Sequence, residues 1–223
     1  MQIAVIPVQD LAWPFGSGPV YYVKDGSYQR SEQVDPFPCY AHAAEYVKAL
    51  AEQVTAAVPL SGQLDIYCPA YEGTGRTNGH FSQCSWGDSE TYSGYIVLHG
   101  KRIPPHPAMT RYLVSHEYGH AVQYWIEWKY KAKDLPTAYC KDLRGYESQN
   151  TYYGGRTWHA AVGEIFANDF RLTCTGLESE FWPHSCVQPP SDVLTVGQFW
   201  LLVRGGKWDE ALAMLPSLEY RKD

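Results

Sequence analysis

The sequence predicts an α+β fold, and three observations carry that expectation. Short runs rich in β-branched residues fall in the N-terminal half, at Gln2–Val8, Leu64–Cys68 and Tyr95–Leu98. Apolar residues recur at helical spacing over three longer stretches, 40–58, 109–131 and from Arg156 or Thr157 to Thr173. The segments between them are rich in Gly, Pro and Tyr, which suits irregular connections better than a regular bundle. A chain of 223 residues is long enough for a single domain. It also allows two lobes around a cleft, a sheet-and-helix lobe over 1–131 and a mostly helical and loop lobe over 132–223.

In chain order, Gln2–Val8 reads as a strand on Ile3, Val5, Ile6 and Val8, with Pro7 marking an edge or an end. Leu11–Pro19 reads as loop, Val20–Val23 as a short strand before a turn at Asp25-Gly26, and Ser31–Pro38 as connection. In Tyr40–Val58, Ala43, Val47, Leu50, Ala51, Val54 and Val58 form a helical stripe that Pro59 and Gly62 stop. Leu64, Ile66 and Cys68 alternate as in a strand; Pro69–Asp88 is then a long loop or a hairpin with a decorated tip. Tyr95–Leu98 is a strand ended by Gly100, and an exposed edge there could take an extended peptide by strand addition. Pro104, Pro105 and Pro107 delay the next helix to near Met109. Leu135–Gly155 reads as a connector. Thr195–Val203 reads as a helix or buried strand, and Trp208–Met214 as a short helix with Leu212 and Leu215 inward.

Composition narrows the function classes. Hydrophobic residues make up 45% and charged residues 19%, as in a folded soluble protein. The net charge of -6 is spread along the chain without a basic block, which argues against nucleic acid as a partner. Eighteen Tyr, 8 Trp and 7 Phe suit core and cleft alike. No stretch approaches the about 18 apolar residues of a membrane span. Ile3–Val8 lacks the basic start and long apolar region of a signal peptide, so an exported form would have lost its signal or use another route. The six cysteines, Cys39, Cys68, Cys84, Cys140, Cys174 and Cys186, form no C-x-x-C pair. They are either bridged, with Cys174–Cys186 a candidate closing a short segment, or buried thiols. Pairing would favour a secreted or extracellular setting; free thiols would favour the cytoplasm.

The chemistry concentrates at His116-Glu117-Tyr118-Gly119-His120. On a helix, residues i and i+4 stack on one face, so His116 and His120 can bind one metal ion. Glu117 can reach beside that ion and take a proton from water. Leu113, His116, Glu117, His120 and Tyr124 mark one broad face, with Val114, Ala121, Trp125 and Trp128 as the adjacent apolar stripe. Gly119 weakens the helix and allows close approach of another element. The motif alone can arise by chance in a chain with eight His, and two helical histidines can be ordinary core residues. Glu164 shifts the balance. It lies between apolar turns of a separate helix, where a carboxylate needs a cation or strong hydrogen bonds. It is therefore the expected third ligand of one Zn²⁺, leaving a position for water. His42, His80 and His106 read as surface or structural residues.

With these residues in hand, the chain resembles the gluzincins, zincin metallopeptidases of thermolysin-like general plan. The resemblance rests on His116–His120 and on Gly163-Glu-Ile-Phe-Ala-Asn-Asp169. It implies a zincin-like fold with a mixed or antiparallel sheet, one helix carrying H-E-x-x-H and a second carrying the glutamate ligand. That family often places Asp four residues after the ligand. Here Asn168 holds that position with Asp169 beside it, so the resemblance leaves either to orient an imidazole. No H-x-x-G-x-x-H/D extension follows His120, which disfavours the metzincins. Related enzymes bring a Tyr or His over the scissile carbonyl; His184 is the first candidate, with Tyr152, Tyr153 and His159 behind it. The expected function is zinc-dependent hydrolysis of a peptide or protein by a single catalytic domain, with Glu117 as general base. The alternative is a noncatalytic zinc-binding structural or interaction protein, for example in a phage or cell-surface assembly. An intact Glu117 argues for catalysis, because a structural site has no use for a base.

Overall fold

A computed structural model describes residues 2–8, 21–24, 27–30, 40–69, 79–83, 90–98, 107–145, 161–175 and 193–221. In chain order the elements are β1 (Gln2–Val8), β2 (Tyr21–Lys24), β3 (Ser27–Arg30), α1 (Tyr40–Ala57), β4 (Gln63–Pro69), β5 (Gly79–Gln83), β6 (Ser93–Leu98), α2 (Pro107–Lys129), α3 (Leu135–Arg144), α4 (Val162–Cys174), α5 (Val193–Arg204) and α6 (Trp208–Leu212). The architecture is α+β: a small, mainly parallel sheet carries helices, and α2 and α4 bear the His/Glu triad in a zincin-like arrangement.

The main sheet runs β1-β4-β6-β5. β1 pairs parallel with β4 and β4 parallel with β6, while β5 pairs antiparallel with β6. It is thus a mixed sheet. Leu64, Ile66, Ile96 and Leu98 alternate onto a buried face, with Ile66 opposite Ile96 in register. β2 and β3 form a separate antiparallel pair. Two strand expectations change. β5 arises within the stretch 69–88, pairing forward with β6. β6 therefore lies inside the sheet, and among the described residues the terminal strands are β1 and β5. Backbone groups of β6 are used on both sides, so strand addition there is ruled out.

α1 buries Val47, Leu50, Ala51, Val54 and Val58, the expected stripe, against the sheet and α2. The chain turns into β4 at Gly62, whose φ is +108° and whose missing side chain leaves room for the Tyr92 carbonyl oxygen. α2 opens with Pro107, whose fixed φ and absent N–H suit a first helical position. It is buried on nearly every side from Tyr112 to Gly119. Three aromatic tips pin it in place. The Tyr118 hydroxyl donates to the Val58 carbonyl at 2.8 Å, Trp125 Nε1 to the Ser61 carbonyl at 3.1 Å, and the Tyr92 hydroxyl to the Ala121 carbonyl at 3.1 Å. Each such bond contributes about 0.5–1.5 kcal/mol net, and together they hold the axial position of the helix.

The segment expected as connector contains a helix, α3. Pro136 in its first turn, apolar Leu135, Ala138, Tyr139 and Leu143, and Gly145 as a left-handed cap at φ 60° all fit helical rules. α4 starts at Val162, later than the expected 156–157. α5 is a helix, with Phe199, Trp200 and Val203 buried, and Leu212 and Leu215 face inward at α6. Cys140 and Cys174 are buried free thiols among the described residues, and the Cys174–Cys186 pairing reaches beyond them. Cys39, Cys84 and Cys186 lie outside the described residues. No described helix is long and apolar enough to cross a membrane.

Candidate metal centre

α2 and α4 cross in contact, and the contact point is Gly119. A side chain there would meet Ala167 Cα and the Ala167 carbonyl oxygen, each at 2.8 Å. Real Cβ atoms do not approach backbone so closely, so only glycine lets the helices meet at this distance. The crossing brings the first turn of α4 over the central turns of α2. His116 and His120, one turn apart, have ring centroids 4.9 Å apart and planes at 88°. Between them enters Glu164: its Oε2 lies 2.9 Å from His116 Nε2 and its Oε1 3.5 Å from His120 Nε2. Ligand atoms of all three residues lie within 4.8 Å of one another.

The charges are arranged to match. Burial pushes the Glu164 carboxyl up, but His120 and His116 outweigh it and hold Glu164 well below the usual carboxylate range. Burial also pulls His120 down, and the Glu164 carboxylate overcomes this and raises it to about 9. Glu117, 5% exposed, is raised chiefly by burial and by the nearby Glu164 charge, against the pull of both histidines. β5 packs against α2, and the Phe81 backbone acts with the histidines to pull Glu117 back down. The side chains of His116 and Glu164 are 2% and 3% exposed and that of His120 13%, so solvent reaches the cluster from the His120 side.

His116 Nδ1 lies 3.0 Å from Asn168 Oδ1. An amide oxygen is acceptor only, so Nδ1 donates to it, which leaves Nε2 as the nitrogen that faces Glu164 and that would bind a metal. Asp169 faces elsewhere: it accepts the Tyr139 hydroxyl at 2.7 Å and pairs with Arg144 at 3.0 Å. Of the two residues expected near the imidazoles, Asn168 reaches one and Asp169 neither.

Two imidazole nitrogens and a carboxylate are a zinc donor set. Zinc bonds of about 2.0–2.1 Å at tetrahedral angles separate neighbouring ligand atoms by about 3.3 Å. The 2.9 and 3.5 Å separations bracket that value, so the residues fit a single catalytic Zn²⁺. His116-Glu117-x-x-His120 with Glu164 matches a gluzincin-type zinc metallopeptidase active site. No family model, curated protein or solved structure matches the chain. The gluzincin-type match is therefore one of site geometry and helix placement.

His184, Tyr152, Tyr153 and His159, the candidates for the oxyanion, lie outside the described residues, as does His106; of His42 and His80 only the backbone is described. Two neighbours of the gluzincin-type site escaped the sequence reading. Tyr112 stacks on His116 at 5.3 Å. Gln123 sits beside His120, and its Oε1 and His120 Cε1 lie near the same point above Gly163. Tyr112 stands one helical turn before His116 and Gln123 one turn after His120; that periodicity is the signal that could have found them.

Proposed function

We propose that the protein is a zinc metalloendopeptidase acting on extended peptide, organised as a single catalytic domain. The triad is consistent with a zinc-activated-water peptidase mechanism, and a His-His-Glu site supports a catalytic zinc metalloenzyme. The observation that carries the reading is the buried Glu117, next in sequence to His116 of that triad. A structural zinc site has no need of a carboxylate base there.

His116, His120 and Glu164 hold the ion. When bound, zinc polarises the scissile carbonyl and makes water a nucleophile near neutral pH. Glu117 accepts the proton of the attacking water on a carboxylate oxygen and delivers it to the leaving nitrogen. Asn168 keeps the proton of His116 on Nδ1, so that Nε2 remains a ligand. β5 offers its outer backbone to the substrate, whose main chain would align as a further strand. His184 is the residue we assign to the tetrahedral oxygen.

The test is Glu117→Gln. The variant should bind about one zinc per chain, like the parent, and lose at least about 100-fold in kcat. Zinc content by plasma emission and cleavage of a peptide library read the two outcomes. Parent-like turnover by the variant removes Glu117 as the base; zinc without turnover in the parent favours the noncatalytic reading.

A further inference from the structure

Tyr112 lies one turn before His116 on the same face of α2. Its ring stacks on the His116 imidazole, with centroids 5.3 Å and planes 13° apart. Its hydroxyl reaches Asn168 Oδ1 at 3.5 Å, the same atom that lies 3.0 Å from His116 Nδ1. Over the Tyr112 ring lies the Arg171 guanidinium, 4.8 Å from its centroid. Tyr112 is 5% exposed and Arg171 1%. α2 thus supplies Tyr112 and His116, and α4 supplies Asn168 and Arg171 to the same column.

From these contacts we propose that Tyr112 is a positioning residue for His116, held over the imidazole by Arg171, and that it governs how tightly the site takes zinc. This rests on His116 being a zinc ligand. Asn168 at Nδ1 and Glu164 at Nε2 hold the ring by its two nitrogens, within its own plane, and leave out-of-plane swing to be limited by what packs on its face. The parallel phenol face removes that swing. The imidazole N–H at 3.0 Å sets the amide with its oxygen toward His116, and the phenol at 3.5 Å adds only a weak second donor to the same atom. That choice decides the tautomer, and with it which nitrogen is available to a metal. Arg171 holds the phenol by the attraction of a cation for an aromatic face.

The experiment measures zinc affinity by chelator competition on the full chain, with the melting temperature of the zinc-free protein alongside. Tyr112→Phe keeps the ring and should bind zinc within about 3-fold of the parent. Tyr112→Leu removes the face and should bind about 10-fold more weakly or worse. It should also broaden the visible spectrum of the cobalt(II)-loaded protein. If Tyr112→Leu lowers the melting temperature but leaves zinc affinity within about 2-fold, the role is packing alone and the proposal falls. If Tyr112→Leu does not fold, Arg171→Met decides. Removing a positive charge near a divalent cation should by itself tighten binding, so weaker zinc supports the positioning role and equal or tighter zinc overturns it. A parent that binds no zinc would instead defeat the metalloenzyme reading on which this rests.

Discussion

Asn168 and Asp169 are neighbours in sequence and serve opposite sides of α4. Toward α2, Asn168 joins a cluster of two imidazoles and one carboxylate. Toward α3 and α5, Asp169 joins a cluster that closes on itself. It pairs with Arg144 and accepts the Tyr139 hydroxyl, which in turn accepts Trp200 Nε1 at 2.9 Å. Rings of Phe166, Phe170 and Phe199 surround Trp200 at 5.0–5.7 Å. In the second cluster the carboxylate and guanidinium balance, and the phenol spends its proton and a lone pair within the protein. In the first, both ring nitrogens and both carboxylate oxygens converge on one point, an arrangement best satisfied by a cation. One helix thus carries a site on one side and the brace that steadies it on the other.

The largest expected effect breaks the brace. Asp169→Ala leaves the Arg144 charge buried without its carboxylate, which costs about 3–5 kcal/mol. In a chain of this size the melting temperature should fall by roughly 10 °C or more. The fraction that remains folded should keep parental zinc affinity. A 10- to 100-fold loss of zinc affinity with little loss of stability would instead make Asp169 the residue that orients a ligand.

The mirror substitution comes next. Glu164→Gln keeps shape and removes the anionic ligand. Zinc affinity should drop by more than about 100-fold, beyond the usual loss for an outer hydrogen-bond partner, and hydrolysis should go with it. The zinc-free melting temperature should fall less than in Asp169→Ala, because the histidines left without the carboxylate can lose their protons, whereas Arg144 cannot. The two substitutions then exchange their effects between stability and binding. If both variants lose the same property, the division between the clusters is wrong.

This division shows what the sequence could and could not reveal. The H-E-x-x-H spacing and the isolated Glu164 were legible because each obeys a local rule: helical periodicity for the first, a carboxylate among apolar turns for the second. α1, α2, β1, β4 and β6 were legible for the same reason. The choice between Asn168 and Asp169 was not, since it depends on α3, and α3 was read as connector. Its helical marks, Pro136, Leu143 and Gly145, were outweighed by the Tyr- and Gly-rich run that follows Arg144. β5 was half legible, because Pro69–Asp88 reads as a long loop or a hairpin. Gly79–Gln83 has weak strand character, and it becomes a strand by pairing with β6, a tertiary fact. Its position matters most for function, because among the described residues it puts β5 rather than β6 at that end of the sheet, on a strand that packs against α2.

The smallest effect concerns the joint between the two clusters. Glu127, near the end of α2, accepts the Leu135 backbone N–H at 3.0 Å and so caps α3. The residue at the usual capping position, Asp134, has φ 55° and makes no cap with its side chain. Burial, aided by the Asp134 charge, raises Glu127 to about 7, against hydrogen bonds from Leu135 and Gln123 that lower it. A carboxyl whose folded pKa exceeds its unfolded value stabilises fully below the unfolded value. That contribution is lost as pH rises through about 7. Glu127→Gln retains an oxygen for the Leu135 N–H and cannot ionise. The parent should therefore lose on the order of 1 kcal/mol relative to Glu127→Gln between pH 5 and pH 8, after allowance for partial exposure. Urea melts at the two pH values measure it. Parallel pH profiles for parent and variant would mean that Glu127 does not couple the metal-bearing helix to the brace through its charge. The cap would then act as a neutral hydrogen bond, and α3 would be held to α2 by apolar packing alone.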